Sequence, residues 1–129
     1  MLKIPVDRLK AVCNPLGECD IWSVGKPITV EMVDAAFVTG QLNPNTNASE
    51  KLKTAKDHAA RIAYLVKYGW SDAISLDIGI PSLNCYTDWM IDDGNHRVAA
   101  AIYRGDQYIL AGVNGCNDYM LELFGVNYP

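Results

Sequence analysis

Hydrophobic positions in this chain follow two periods. Leu52, Ala55, Ala59, Ile62 and Val66 return every three or four places, the spacing of one helical face. Asn47 and Glu50 stand ahead of them as a capping box, and Gly69 follows as a stop, so a helix is expected over about 47–68. Val30, Val33 and Phe37 share a second face, with Thr29 placed to cap it and Gly40 past its end, which predicts a helix over 30–39. Residues 73–80 alternate apolar with small or polar side chains and read as a strand ended by Pro81. Shorter apolar runs at 2–5, 88–91 and 108–113 read as further strands, and a last short helix is expected over 118–124, closed by Gly125. Residues 6–9 lead away from the first strand, while 13–28 and 43–47 carry the Pro, Gly and Asn of loops. Strands and helices are interleaved without repeats or a linker. The expected class is α+β: one domain over 1–129, a small mixed sheet packed with helices around one core.

One stretch departs from this ordinary pattern. Asp92, Asp93, Gly94, Asn95, His96 and Arg97 form a polar turn between the run Trp89-Met90-Ile91 and an Ala-rich helix that stops at Gly105. A strand, a glycine turn and a helix start leave backbone N–H groups and the positive helix end free to face an anion. A capping aspartate and a basic surface face would account for one acid and the arginine. They do not account for two acids, a glycine, a histidine and an arginine within six positions.

Charge narrows the partners. The net charge is −4 and the pI about 5.0, without the basic stripe that proteins on a nucleic-acid backbone usually carry. Nucleic acid is disfavoured on that ground without being excluded. Lys51, Lys53 and Lys56 come closest to such a patch, but Glu50 and Asp57 accompany them on what reads as one solvated helix face. Cys13, Cys19, Cys85 and Cys116 form no Cys-x-x-Cys pair, which argues against a zinc ribbon or a thioredoxin-type site. Lys3, Asp7, Arg8 and Lys10 interrupt the first twelve residues, so no secretory leader is expected and Asn47-Ala48-Ser49 carries no glycan. Reduced thiols and a cytoplasmic location follow as expectations. No apolar stretch reaches the roughly 20 residues of a membrane span.

The block Asp-Gly-Asn-His-Arg-Val-Ala-Ala-Ala-Ile-x-x-Gly at 93–105, set behind a strand, is similar to the ParB/sulfiredoxin superfamily. The resemblance covers 1–9 and 60–115, leaving 10–59 as a family-specific elaboration. It implies an α+β domain in which a strand, a Gly-x-x-Arg turn and a helix carry nucleotide phosphates. The departures are informative. Sulfiredoxin-like enzymes place a reactive cysteine directly after the glycine, where this chain has Asn95, so sulfinic-acid reduction is not expected. Chromosome-partitioning members carry Gly-Glu-Arg-Arg and a following helix-turn-helix domain. Here the turn is Gly94-Asn95-His96-Arg97, and with the sequence closing at Pro129 no DNA-reading domain is expected. The Asp-Gly-x-His-Arg subgroup resembles this chain more, and it includes small stand-alone proteins and a free-serine kinase. Its members are often described as nucleases by analogy of fold, a weak warrant for chemistry.

On that resemblance Gly94, Asn95, His96 and Arg97 would bind a nucleotide, ATP or CTP, through backbone amides and the planar fork of Arg97. His96 and Asp93 are the candidate catalytic residues, and Asp92 or Asp93 would hold Mg²⁺ together with phosphate and water. Asp93 has a rival role as helix cap, and His96 as a residue packed at the helix start. An acceptor would need orienting by Glu18, Asp20, Glu31 or Asp77, which the sequence does not rank. His58 falls one place off the apolar stripe and reads as a partly buried surface residue. Cys85 and Cys116 read as small core residues, and so do most aromatics, Trp70, Trp89, Tyr86 and Tyr103 among them. Trp22, in a Gly- and Pro-rich loop, is placed to stack on a base or meet a partner.

Three functions stay open. The favoured one is a nucleotide-binding enzyme, a Mg²⁺-dependent phosphotransferase, or a hydrolase of the nucleotide or a phosphodiester. The second is a non-catalytic protein-interaction module of phage or mobile-element type that retains the fold. The third is a ParB-like DNA-binding or nuclease module.

Overall fold

The computed structural model describes residues 1–44, 52–80, 83, 88–116 and 119–127. The element order is β1 (Leu2–Pro5), α1 (Val6–Val12), α2 (Val30–Thr39), α3 (Ala55–Tyr68), β2 (Ile74–Asp77), β3 (Ile91–Asp93), α4 (Asn95–Arg104), β4 (Tyr108–Asn114) and α5 (Met120–Phe124). The strands form one mixed sheet in the order β1-β4-β2-β3. β4 lies antiparallel to β1 and parallel to β2, and β2 lies antiparallel to β3. The class is α+β, as the periodicity predicts.

Alternation along the strands turns one face of the sheet inward. Ile4, Ile109, Ala111, Ile74 and Leu76 are buried, while Lys3, Tyr108 and Leu110 between them are exposed. The inward face packs with α1, α5 and part of α4 in one apolar cluster, and α2, α3 and the rest of α4 form a second. α4 is the wedge between the two. Val98, Ala99, Ala100 and Ala101 are each no more than 1% exposed, and four successive positions on a helix point all the way round it. Alanine makes that possible, because its methyl lets sheet and helices approach α4 from both sides.

Several boundaries differ from the sequence reading. Residues 6–12 form a helix, running straight on from the strand at Pro5 and burying Val6 and Leu9. α3 starts at Ala55, not near residue 47, and its capping box is Thr54 with Asp57. Leu52 and Lys53 precede the helix, so Lys53 and Lys56 do not share a helical face, and Asn47, Glu50 and Lys51 lie outside the described residues. β3 is Ile91–Asp93 where a strand over 88–91 is expected, which moves Asp92 and Asp93 from the turn onto the strand. Pro81, Cys85, Tyr86 and Asp118 also fall outside the described residues. No helix is long and apolar enough to cross a membrane among the described residues.

Candidate functional site

The sharp junction between β3 and α4 is made by Gly94. It takes φ +110 at the N-cap of α4, and a Cβ there would lie 2.5 Å from Cγ2 of Ile74 on β2. Only glycine fits both the backbone angle and the space. The glycine is therefore required by strand–helix packing whether or not a ligand approaches. Asp93 does not cap the helix, and no other side chain does. Among the described residues the amides of Asn95, His96 and Arg97 meet no acceptor, so the first turn of α4 presents three free donors.

This open end faces a cleft of about 310 Å³. Asp92 and Asp93 both line it, although neighbours on a regular strand point to opposite sides. The pairing explains this. Ser75 stands opposite Asp93 but Leu76 stands opposite Ile91, so Asp92 is an extra residue, and such a bulge re-aims the side chains beside it. Asp93 accepts a bond from Nη2 of Arg97 at 3.1 Å. Nη1 of Arg97 donates to the carbonyls of Asp72 at 2.9 Å and Ala73 at 3.1 Å. Arg97 thus ties α4 to the start of β2 through Nη1 and to the end of β3 through Nη2, and its Nε has no acceptor among the described residues. Asn95 is engaged too: its Oδ1 accepts from the indole N–H of Trp89 at 2.7 Å. Asp92 has no side-chain partner among the described residues.

The far wall comes from distant parts of the chain. Arg61 on α3 lines the cleft, and its Nη1 donates to the carbonyls of Asn43 and Pro44. Its Nη2 and Nε have no acceptor among the described residues, so it contributes an available positive charge. One turn before it, His58 is 5% exposed, and its Nδ1 lies 2.8 Å from Nε2 of His96. The two imidazoles are nearly coplanar, with an interplanar angle of 7°. The indole of Trp22 covers both, stacking at 4.8 Å on His58 and 4.7 Å on His96.

Burial holds this pair neutral. Enclosure pushes His96 from 6.5 down to about 3, and the charges of His58, Arg61 and Arg97 act in the same direction. His58 is also lowered, by burial, against a raising contribution from a hydrogen bond to the Leu52 backbone and from Asp57 and Asp20. In the bond between the two rings one facing nitrogen carries the proton and the other accepts it. With Nε2 committed to His58 and the ring neutral across the physiological range, His96 is a weak base that could act only through Nδ1.

The remaining candidates lie elsewhere. Asp20 accepts from the amides of Val24 at 3.0 Å and Gly25 at 2.8 Å, which shapes the loop before α2. Asp77 accepts from Gly79 N at 3.0 Å, and Glu18 and Glu31 are exposed away from the cleft. Cys13 is buried, accepts from Met90 N, and burial raises its thiol pKa; Cys19 is exposed and Cys116 partly so. No group of three or more His, Cys, Asp and Glu side chains converges to hold a metal ion among the described residues. The sequence reading missed His58 and Arg61. A signal existed for the first: His58 is three places after Ala55 and four before Ile62, which puts it on the buried stripe. No family model matches this chain, no curated protein matches its sequence, and no solved structure matches its fold.

Proposed function

We propose that this protein binds the phosphate of a nucleotide at the open N-terminus of α4, in a ParB/sulfiredoxin-like fold. The observation that carries the reading is the uncapped first turn of α4, whose three free amides face a cleft beside the unpaired donors of Arg61. Free amides, the helix dipole and a guanidinium all favour an anion at that place. The strand, Gly94 turn and Ala-rich helix match the resembling family in order, which supports the fold assignment.

Asp92 fits a bound Mg²⁺ in part. The cleft holds no protein-only cage for the ion, but one carboxylate with phosphate and water is an ordinary Mg²⁺ shell. Asp92 would supply that carboxylate, and Asp93 remains with Arg97. The reading is one of binding: a phosphoryl-transfer or hydrolytic step would need a base outside the neutral imidazole pair.

Titration calorimetry with ATP, CTP, GTP and ADP, each with and without Mg²⁺, tests it. Wild type is expected to bind at least one nucleotide, and Arg61→Ala to weaken that binding about tenfold or more. Arg61 suits this better than Arg97, whose Nη2 is already paired with the Asp93 carboxylate. Silence across the panel would retire the reading. A second reading, a non-catalytic module that contacts another protein, is favoured by the intramolecular tasks of Gly94, Asn95 and Arg97, which leave the motif explicable without a ligand.

A further inference from the structure

Trp22 packs, partly buried, at the edge of the second apolar cluster. It lies in the irregular segment between α1 and α2 and reaches over the imidazole pair. Its backbone is fixed by local bonds. The Asp20 carboxylate accepts from Val24 and Gly25, the Asp20 carbonyl accepts from Ser23 N at 3.3 Å, and Ser23 is the one non-glycine residue with positive φ among the described residues. Downstream, Ile28 anchors the loop at 1% exposure. The indole is thus presented by a braced turn.

Its plane is fixed as well. Two hydrogen-bonded imidazoles lying 7° from coplanar make a flat slab about as large as an indole, and Trp22 lies on it at 24° to one ring and 19° to the other. That contact uses one face of the indole. Trp22 remains only partly buried and forms a wall of the same cleft that Gly94, Asn95 and His96 floor. The second face of an indole held parallel to a rigid slab is a platform for another flat ring.

We infer that Trp22 is the base-stacking platform of this cleft, so that the ligand is a nucleotide whose purine or pyrimidine lies on the indole while its phosphate meets α4. The inference rests on the phosphate reading of α4 and adds the place where the base of the nucleotide is held. The cleft, at about 310 Å³, is at the small end of ligand sites and suits one base with its sugar and phosphate. Stacking tolerates any base, so the platform predicts a preference for nucleotides over inorganic phosphates with weak discrimination among bases.

The test compares Mg²⁺ complexes of ATP, CTP and inorganic tripolyphosphate, together with adenosine, on wild type, Trp22→Phe and Trp22→Leu. Both nucleotides are expected to bind wild type about tenfold or more tighter than tripolyphosphate. Trp22→Leu should bring nucleotide affinity down to that of tripolyphosphate while leaving tripolyphosphate unchanged, and Trp22→Phe should keep most of the advantage. Unchanged tripolyphosphate binding also shows that the leucine variant keeps its site. Equal binding of nucleotide and tripolyphosphate by wild type would overturn the platform and leave the phosphate reading standing. So would a leucine variant that weakens both alike, because Trp22 would then serve only to hold the histidines. Adenosine binding lost in Trp22→Leu, with tripolyphosphate silent, would sustain the platform and overturn the phosphate reading. Silence of all four ligands overturns both.

Discussion

Helices α3 and α4 pack against each other, yet their starts are finished in opposite ways. At α3 the Thr54 hydroxyl accepts from Asp57 N at 3.1 Å and the Asp57 carboxylate accepts from Thr54 N at 3.0 Å. That exchange satisfies two otherwise free amides and holds the Asp57 carboxyl below its usual range, chiefly through a further bond from Lys53 N. At α4 the cap position is Gly94, and Ile74 occupies the place where any capping side chain would begin. The open end of α4 is thus a consequence of how closely its start is pressed onto β2. The amides there stay uncapped because packing excludes the residue that would have closed that end.

The largest effect on this contrast is expected from Gly94→Ala. The added methyl would meet Ile74 at a backbone angle unfavourable to alanine, and unfolding free energy should fall by about 3 kcal/mol in urea melts. If packing is the cause, Gly94→Ala should cost less in an Ile74→Ala background than in the wild type, so that the two changes are clearly non-additive.

Next comes the imidazole pair beside that open end. His58→Leu leaves Nε2 of His96 without its hydrogen-bond partner in an enclosed place and should cost about 2 kcal/mol. Replacing both histidines by leucine should cost less than the sum of the single changes, measured as a double-mutant cycle. The same pair makes stability depend on pH. Both histidines have folded pKa values below 6.5, with His96 at about 3, so the unfolded chain binds the extra protons in acid. Stability from this source is complete above 6.5 and is lost progressively as pH falls towards 3. Melting temperature should follow that course, with a shallower decline in the double leucine variant.

Thr54→Ala should cost about 1 kcal/mol, the worth of the cap that α4 lacks. The smallest effect belongs to Asp93→Asn. It breaks an ion pair whose acid is 77% exposed, and a loss of about 0.5 kcal/mol or less is expected in the same melts.

How much was readable varied with how local the cause was. The Thr29 cap, the Val30–Thr39 helix and its Gly40 stop were visible because each is specified within a few residues. α1 was not: seven residues show less than two periods, and the chain enters it from a strand without a break. The start of α3 was misplaced because Asn47 and Glu50 match the capping pattern as well as Thr54 and Asp57 do. β3 was shifted because Trp89-Met90-Ile91 is the apolar run, whereas pairing with β2 is set by a bulge that a hydrophobicity pattern does not record.

The chemistry divides along the same line. Residues 91 to 105, read in order, were enough to locate the junction that lines the candidate site, since a strand, a positive-φ glycine and a helix start need only adjacent residues to form. Which side chains complete that site depended on contacts across the sequence. His58 reaches His96 over 38 positions, Arg61 arrives with it on α3, and Trp22 comes from a loop before α2. Those meetings follow from a strand order of β1-β4-β2-β3 and from α4 lying buried between the sheet and α3. Long-range packing of this kind leaves no local period or spacing, because the free energy that selects it comes from surfaces buried together only after the chain has folded.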